Sequence, residues 1–189
     1  FGDFVLILDN FYVESFGQNQ IINRVDELKK GGWSQDRVDE FVSRRDSRIQ
    51  LDIAARTEFA TLVSKLASDN PHINFIFRPH PTKDPVFWLN SFSSFRNISV
   101  IYNKSVYPWL LASICTIQSG CTTGLEATAL GIPTFEISNL LPTRGPLLDN
   151  SIISNHINCP KDYISLRSSV RDLFKQRRKS NSFRYSPPI

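Results

Sequence analysis

Small, hydroxyl-bearing and carboxylate residues cluster between a short apolar run and a helical pattern near residue 120. The candidate ligand residues of this segment are Ser119, Gly120, Thr122, Thr123 and Glu126. Glycine allows close backbone approach, hydroxyls donate hydrogen bonds, and N–H groups at a helix start carry partial positive charge. We therefore predict a site for a negatively charged group, with Glu126 accepting from sugar hydroxyls. The alternative is an ordinary helix start that Thr122 or Thr123 caps without any ligand.

A second polar string, Arg-Pro-His-Pro at 78–81, also follows an apolar run. Arg78 offers a bidentate fork to phosphate, and His80 offers a donor whose charge changes near neutral pH. Ligands of parallel α/β sheets bind beyond the carboxyl ends of the strands, so the two strings are expected at one edge. Together they predict a phosphate-bearing ligand. The alternative for residues 78–81 is a rigid surface turn with incidental polar side chains.

Other residues that could do chemistry give weaker signals. Cys121 lies at a helix start, where a thiol pKa can fall. His72 is expected on the surface, and Trp88 and Trp109 are expected to pack in the core. The sequence has neither the GxGxxG fingerprint nor a Walker A loop, which disfavours a dinucleotide oxidoreductase or a P-loop NTPase.

Strand-like and helix-like patterns alternate along the chain. Strands are predicted at 4–8, 72–77, 98–101, 114–117 and 133–136. Helices are predicted across 21–28, from Gln35, over 47–68, after Pro85, and over 106–112, 122–130 and 162–179. This alternation predicts an α/β fold, a Rossmann-like parallel sheet with helices on both faces. One domain is expected over 1–180, followed by a tail at 181–189.

Composition narrows the class of protein. The 189 residues are 41% hydrophobic, which predicts a folded chain, and no apolar run approaches the length of a membrane span. Three cysteines without a CxxC pair predict reduced thiols and no metal site. Residues 1–8 lack the pattern of a signal peptide, so a cytoplasmic location is expected.

Basic residues account for the formal net charge of +4, and four of them fall at 175–179. This run predicts a solvated helix end, where cations favour the helix dipole. The alternative is a peripheral contact with an anionic membrane surface. Nucleic acid is not expected as a partner, because aromatic residues are not interleaved with the basic ones.

Taken together, these strings resemble bacterial surface carbohydrate biosynthesis proteins. The matching features are the Arg-Pro-His-Pro string, Trp88, and the segments 106–112, 119–127 and 131–133. That family is similar to capsule-type Kdo transferases and to polyglycerol-phosphate and polysialic acid transferases, which share a GT-B fold of two Rossmann-like halves. The resemblance covers most of residues 1–137 and implies the carboxyl-terminal half of a GT-B fold.

The resemblance also implies a function. It implies that Arg78, His80, Ser119, Thr122 and Thr123 contact the donor phosphate of a nucleotide-sugar, with Glu126 on the ribose and Asn10 in the donor site. The donor would be CMP-linked by analogy with the Kdo transferases, the acceptor a glycan or lipid-linked glycan, and the product bacterial surface polysaccharide such as capsule or lipopolysaccharide. The catalytic base would come from an amino-terminal domain, so this chain alone is expected to bind donor without transferring sugar. Alternatives are a non-catalytic nucleotide-sugar or polysaccharide-binding module and a sugar-nucleotide epimerase of the same fold.

Overall fold

The structure is a computed structural model that describes residues 3–11, 18–81, 83–102, 105–144 and 157–179. For residues 18–23, 178 and 179 it describes the backbone alone. The expectations for Arg178 and Lys179 of the basic run and for the tail at 181–189 lie outside the described side chains. The proposed domain limit at residue 180 stays a prediction for the same reason.

A single five-stranded parallel sheet forms the centre of the fold, in the order β3-β2-β1-β4-β5. Its strands are β1 (Phe4–Leu8), β2 (Asn74–Arg78), β3 (Ile98–Val100), β4 (Cys115–Gln118) and β5 (Thr134–Glu136). All five residues of β1 are buried, because this strand pairs with β2 on one side and β4 on the other and is covered on both faces. A buried central strand of a parallel sheet requires such an unbroken apolar run.

Helices cover both faces of this sheet. They are α1 (Gln18–Lys30), α2 (Gln35–Ser68), α3 (Val86–Phe92), α4 (Tyr107–Ala112), α5 (Thr122–Ala129) and α6 (Tyr163–Lys179), with a 3-10 turn at Ser138–Leu140. One face packs α2, α3 and α6 against alternate side chains of β1, including Val5 and Ile7. The other face packs α4 and α5 against Phe4, Leu6 and Leu8. The predicted α/β Rossmann-like fold is confirmed.

The prediction of two separate helices in residues 35–68 is wrong, because α2 is one continuous helix of 34 residues. The helix begins where predicted, at an N-cap in which the Ser34 hydroxyl accepts from the Arg37 N–H at 3.5 Å. No glycine or proline interrupts the sequence between Val42 and Ser47, so nothing in that stretch forces the helix to end.

In the described part of the chain, no helix is long and apolar enough to cross a membrane.

The strand order places a topological switch point between β1 and β4. From β1 the chain continues outward through β2 and β3, then crosses to the opposite side of β1 to form β4 and β5. At such a point the loops after the two central strands diverge and leave a crevice at the carboxyl edge of the sheet. Residues 9–11 and 119–121 occupy this edge.

A buried ion pair ties α2 to the loop that follows the 3-10 turn. The Arg144 guanidinium lies 3.1 Å from the Asp52 carboxylate, and both side chains are almost fully buried. Arg144 also donates to the Asn10 carbonyl at 3.0 Å, and its guanidinium carbon lies 4.5 Å from the Phe11 ring centroid. Asp52 also pairs with Arg48 at 3.5 Å, so removal of Asp52 takes a carboxylate from two guanidinium groups at once.

We predict that Asp52→Ala lowers the free energy of unfolding by about 3–5 kcal/mol, because it strands the Arg144 charge in the protein interior. The matched control is Glu40→Ala in the same helix, whose ion pair with Arg44 is exposed on both sides. The control substitution should lower the free energy of unfolding by less than about 1 kcal/mol. Chemical denaturation measures both. Equal small losses in the two variants would contradict the structural role of the Asp52–Arg144 pair.

Gly124 of α5 leaves space for a buried side chain of β4. A Cβ at this position would lie 2.8 Å from Gln118 Nε2 and 2.9 Å from its Cδ, which is closer than real contacts allow. Gln118 cannot easily move, because it is fully buried and its Oε1 accepts from the Cys121 N–H at 2.5 Å.

Gly→Ala inside a helix normally stabilises by up to about 1 kcal/mol. We predict the opposite sign for Gly124→Ala, a loss of about 1–3 kcal/mol from overpacking. In a double-mutant cycle with Gln118→Ala, which opens the space, the loss caused by the added methyl group should largely disappear. Thermal or chemical unfolding of the four proteins tests this, and additive effects would show that the two side chains do not compete for this space.

Candidate functional site

A pocket with a volume of about 270 Å³ opens at the carboxyl edge of the sheet. It is formed by the ends of β1 and β2, the segment before α4, and the start of α5. Its polar side chains are Asp9, Arg78, His80, Ser105, Cys121 and Thr123. The structure therefore brings Arg78 and His80 of the Arg-Pro-His-Pro string together with Thr123 of the segment near residue 120.

Arg78, the last residue of β2, is held with its guanidinium beside the ring of Trp109. The guanidinium carbon lies 5.9 Å from the centroid of the Trp109 ring, and the Arg78 residue is only 7% exposed. Burial lowers the pKa of Arg78 from its usual high value, but an arginine still remains charged at neutral pH. A nearly buried cation at a pocket wall attracts an anion more strongly than one in open water, because the local dielectric is lower.

His80 lies two residues further along the same wall and is half-buried. Burial lowers the pKa of His80, the Lys83 cation lowers it further, and the Asp9 carboxylate opposes both effects. The imidazole is consequently mainly neutral at pH 7 and presents one N–H donor. The Lys83 ammonium is itself held near the pocket, where it donates to the Phe11 carbonyl.

The turn after β4 is fixed by side chains from both neighbouring strands. Gly120 has a φ of 70°, a conformation that favours glycine. Its N–H donates to Glu136 Oε2 at 2.7 Å, and its carbonyl accepts from Asn10 Nδ2 at 2.5 Å. The Cys121 N–H donates to Gln118 Oε1. These two backbone N–H groups are therefore engaged within the protein rather than directed at a ligand.

The remaining predicted site residues lie around the pocket rather than in its wall. Ser119 is fully buried, and its hydroxyl lies 2.8 Å from the Ser138 hydroxyl. Asn10 is half-buried beside Gly120. Thr122 and Glu126 are exposed on the first two turns of α5. Glu126 follows the pocket residue Thr123 by three positions, so both lie on the same side of the helix.

The expectation of a lowered thiol pKa at Cys121 is wrong. Burial raises the pKa of this thiol, and the Asp9 carboxylate raises it further, while hydrogen bonds from Thr123 and Gly124 oppose this only in part. At a helix start the desolvation of a nearly buried sulfur here outweighs the helix dipole. The Cys121 thiol is thus neutral at pH 7 and lines the pocket wall. Its surroundings do not activate it as a nucleophile.

Asp9 and Ser105 line the pocket and Glu136 holds the turn beside it, and sequence reasoning gave none of the three a ligand-binding role. Asp9 directly follows β1, which is the one signal that could have marked it. Glu136 ends β5, and its carboxylate also accepts from the Ser138 N–H at 2.8 Å. Within the described ranges, no group of three or more His, Cys, Asp or Glu side chains could hold a metal ion.

A larger open groove of about 800 Å³ lies along α2, next to Leu140, Pro142 and Tyr163. Its exposed surface is mostly apolar, and it lies outside the strand-end crevice between β1 and β4. We therefore regard the smaller, polar pocket as the candidate functional site.

In comparisons with known proteins, no family model and no curated protein matches this chain.

We predict that Glu136→Gln destabilises the protein by about 1–3 kcal/mol, because the amide would turn a donor toward the N–H of either Gly120 or Ser138. The control is Glu126→Gln, the same change at an exposed glutamate, which should leave the free energy of unfolding within about 0.5 kcal/mol of the parent. Urea denaturation at constant m-value measures the difference. Indistinguishable midpoints for the two variants would contradict the role of Glu136 in holding the turn.

Proposed function

We propose that this chain is the nucleotide-sugar-binding domain of a GT-B glycosyltransferase that acts in bacterial surface polysaccharide assembly. The observation that carries this proposal is the shared pocket of Arg78, His80 and Thr123 at the carboxyl edge of a Rossmann-like sheet. Phosphate-bearing ligands suit such a place, because cationic and hydroxyl donors converge there. The resemblance of the motif strings supplies the sugar-transfer part of the proposal.

In this proposal Arg78 binds a donor phosphate oxygen through its guanidinium, while His80 and Thr123 each donate one hydrogen bond. A pocket of about 270 Å³ accommodates the phosphate portion of the donor and leaves the nucleoside and sugar outside. Glu126 then accepts from the ribose hydroxyls, since it lies on the same side of α5 as Thr123 and is exposed. Ser119 and Asn10 take no direct part.

The chemistry that these residues support is departure of the nucleotide from the activated sugar. Charge that develops on the phosphate is stabilised by groups already in place, chiefly Arg78 and His80, without a metal ion. Sugar transfer also needs an oriented acceptor and a base to accept its proton. We assign both to a second domain that faces the pocket across a cleft, with the complete enzyme in the cytoplasm or against the inner membrane.

A panel of nucleotides tests the proposal. CMP, CDP, UMP and UDP are added separately to the chain, and the melting temperature is measured. A nucleotide at a hundred times its dissociation constant should add about 2.7 kcal/mol to the free energy of unfolding. Absence of any shift at millimolar concentration would contradict nucleotide binding by this domain. Binding without acceptor-dependent nucleotide release in the complete protein would instead indicate a non-catalytic module.

We predict that His80→Ala lowers the affinity for the tightest-binding nucleotide of this panel by about 10- to 150-fold. This corresponds to the loss of about 1.5–3 kcal/mol from a hydrogen bond to a charged group. The matched control is His72→Ala, because His72 is exposed just before β2, at the opposite edge of the sheet. Isothermal titration calorimetry measures both affinities. Equal affinities of the two variants would contradict a ligand role for His80 and would favour the alternative that residues 78–81 form a rigid surface turn.

A further inference from the structure

The two faces of the sheet are covered unequally, and the strand order explains why. Right-handed crossovers that run outward from β1 through β2 to β3 place α2 and α3 on one face. After the chain crosses back past β1, the same handedness places α4 and α5 on the opposite face. In the described part of the chain, that opposite face is therefore covered by two short helices, of six and eight residues.

Charged side chains are distributed just as unequally between the two faces. The α2 helix carries twelve charged residues, whereas α4 carries none. Between Ser105 and Phe135 the sequence contains a single charged residue, Glu126, which lies in α5. We call the exposed surface of α4 and α5 the neutral face. Its exposed residues are Tyr107, Leu111, Thr122, Glu126, Ala129 and Leu130.

Large apolar side chains stand out from the neutral face. Tyr107 is 52% exposed, Leu111 is 51% exposed and Leu130 is 47% exposed. Tyr107 and Leu111 are four positions apart in α4, so their side chains are neighbours on the helix surface. Both helices end at the amino edge of the sheet, just before β4 and β5, which brings Leu111 and Leu130 to the same end of the neutral face. Grouped apolar side chains of this kind are typical of a contact surface.

The charge of the chain favours a second copy as the partner of this surface. The formal net charge is +4, so two copies repel each other when their cationic surfaces meet. The described residues of the neutral face include no cation, so two copies can approach each other there without that repulsion. With a two-fold axis close to Leu111 and Leu130, Glu126 of each copy lies toward the rim of the contact, where water solvates its charge.

A lipid surface fits the same face less well. Proteins that bind to the surface of a membrane usually combine apolar anchors with Lys and Arg residues that attract anionic lipid head groups. Such residues are missing from the described part of the neutral face, and the cations Arg171 and Lys175 belong to α6, which packs against the opposite face of the sheet. The charge distribution therefore favours a second copy over a membrane.

We propose that two copies of this chain form a weak symmetric dimer in which the neutral face of one copy packs against the neutral face of the other. This inference goes beyond the proposed function and does not depend on it. Two short helices side by side present a surface of about 12 by 20 Å. That is smaller than the roughly 800 Å² that each partner contributes to a standard interface, so we expect a dissociation constant in the micromolar range. The ligand pockets open at the carboxyl edge, away from Leu111 and Leu130, so both copies can bind ligand.

Sedimentation velocity of the chain, from low micromolar to submillimolar concentration, tests the inference. Leu111→Glu and Leu130→Glu should each weaken the dimer by at least about tenfold, because every dimer would then bury two added carboxylates in an apolar contact. The matched controls are Leu89→Glu on α3 and Ile164→Glu on α6, since these side chains are also exposed, at 41% and 66%, but belong to the other face of the sheet. Each control should change the dissociation constant by less than about twofold. Circular dichroism verifies that all four variants are folded.

Several results would overturn the inference. One is a parent protein that stays monomeric over the whole concentration range. Another is a dimer that either Leu111→Glu or Leu130→Glu leaves intact, or that the two control variants weaken equally. Flotation with phosphatidylcholine vesicles covers the alternative partner: binding of a monomeric protein that Leu111→Glu abolishes would assign the neutral face to a lipid surface instead. The nucleotide panel is a separate measurement, so its outcome and that of the dimer test are distinguishable.

Discussion

Two hydrogen bonds to Gly120 organise the carboxyl edge of this sheet. Its carbonyl accepts from Asn10 in the loop after β1, and its N–H donates to Glu136 at the end of β5. Since Gly120 connects β4 to α5, this double attachment determines where α5 begins and hence where Thr123 enters the pocket. The turn is tight enough to require a positive φ, and the strands on either side of β4 supply the groups that stabilise it.

Buried carboxylates recur around this edge, and each is matched by donors rather than left to solvent. Asp9 accepts from Phe11 and Trp88, Glu136 accepts from Gly120 and Ser138, and Asp52 pairs with Arg144. Buried charge is tolerated only with such compensation. The three carboxylates have different roles. Glu136 and Asp52 stabilise the fold, whereas Asp9 alone of the three lines the pocket.

Local patterns were sufficient to predict most of the fold. The apolar run of β1, the Ser34 cap of α2 and the Gly131 stop after α5, with a φ of 74°, are each determined by residues close in sequence. The same patterns were sufficient to place Arg78 and His80 at a strand end. The continuity of α2 was missed because residues 43–48 are all polar and none of them is buried, and such a stretch resembles a break between two helices.

The polar contacts of the site were harder to predict, because they join distant parts of the chain. Ser119 has the residue type of a phosphate ligand, but its hydroxyl pairs with Ser138, 19 positions away. Asn10 contacts Gly120 across 110 positions, and Arg144 contacts Asp52 across 92. A hydroxyl or amide in a strand-end loop can face either a ligand or a neighbouring loop, and only the packed structure distinguishes the two.

The length of α2 has a consequence for how the molecule fluctuates. A helix of 34 residues spans about 51 Å, whereas a five-residue strand spans about 17 Å, so a large part of α2 extends past the sheet. Val38 is the only buried residue of α2 before Asp52, while the second half is buried at Ala55, Phe59, Val63 and Leu66. We therefore expect amide protons of the first half to exchange with solvent through local fraying at a small free-energy cost, and those of the second half to need a larger opening of the domain. The burial pattern thus assigns the two halves of one continuous helix to different cooperative units.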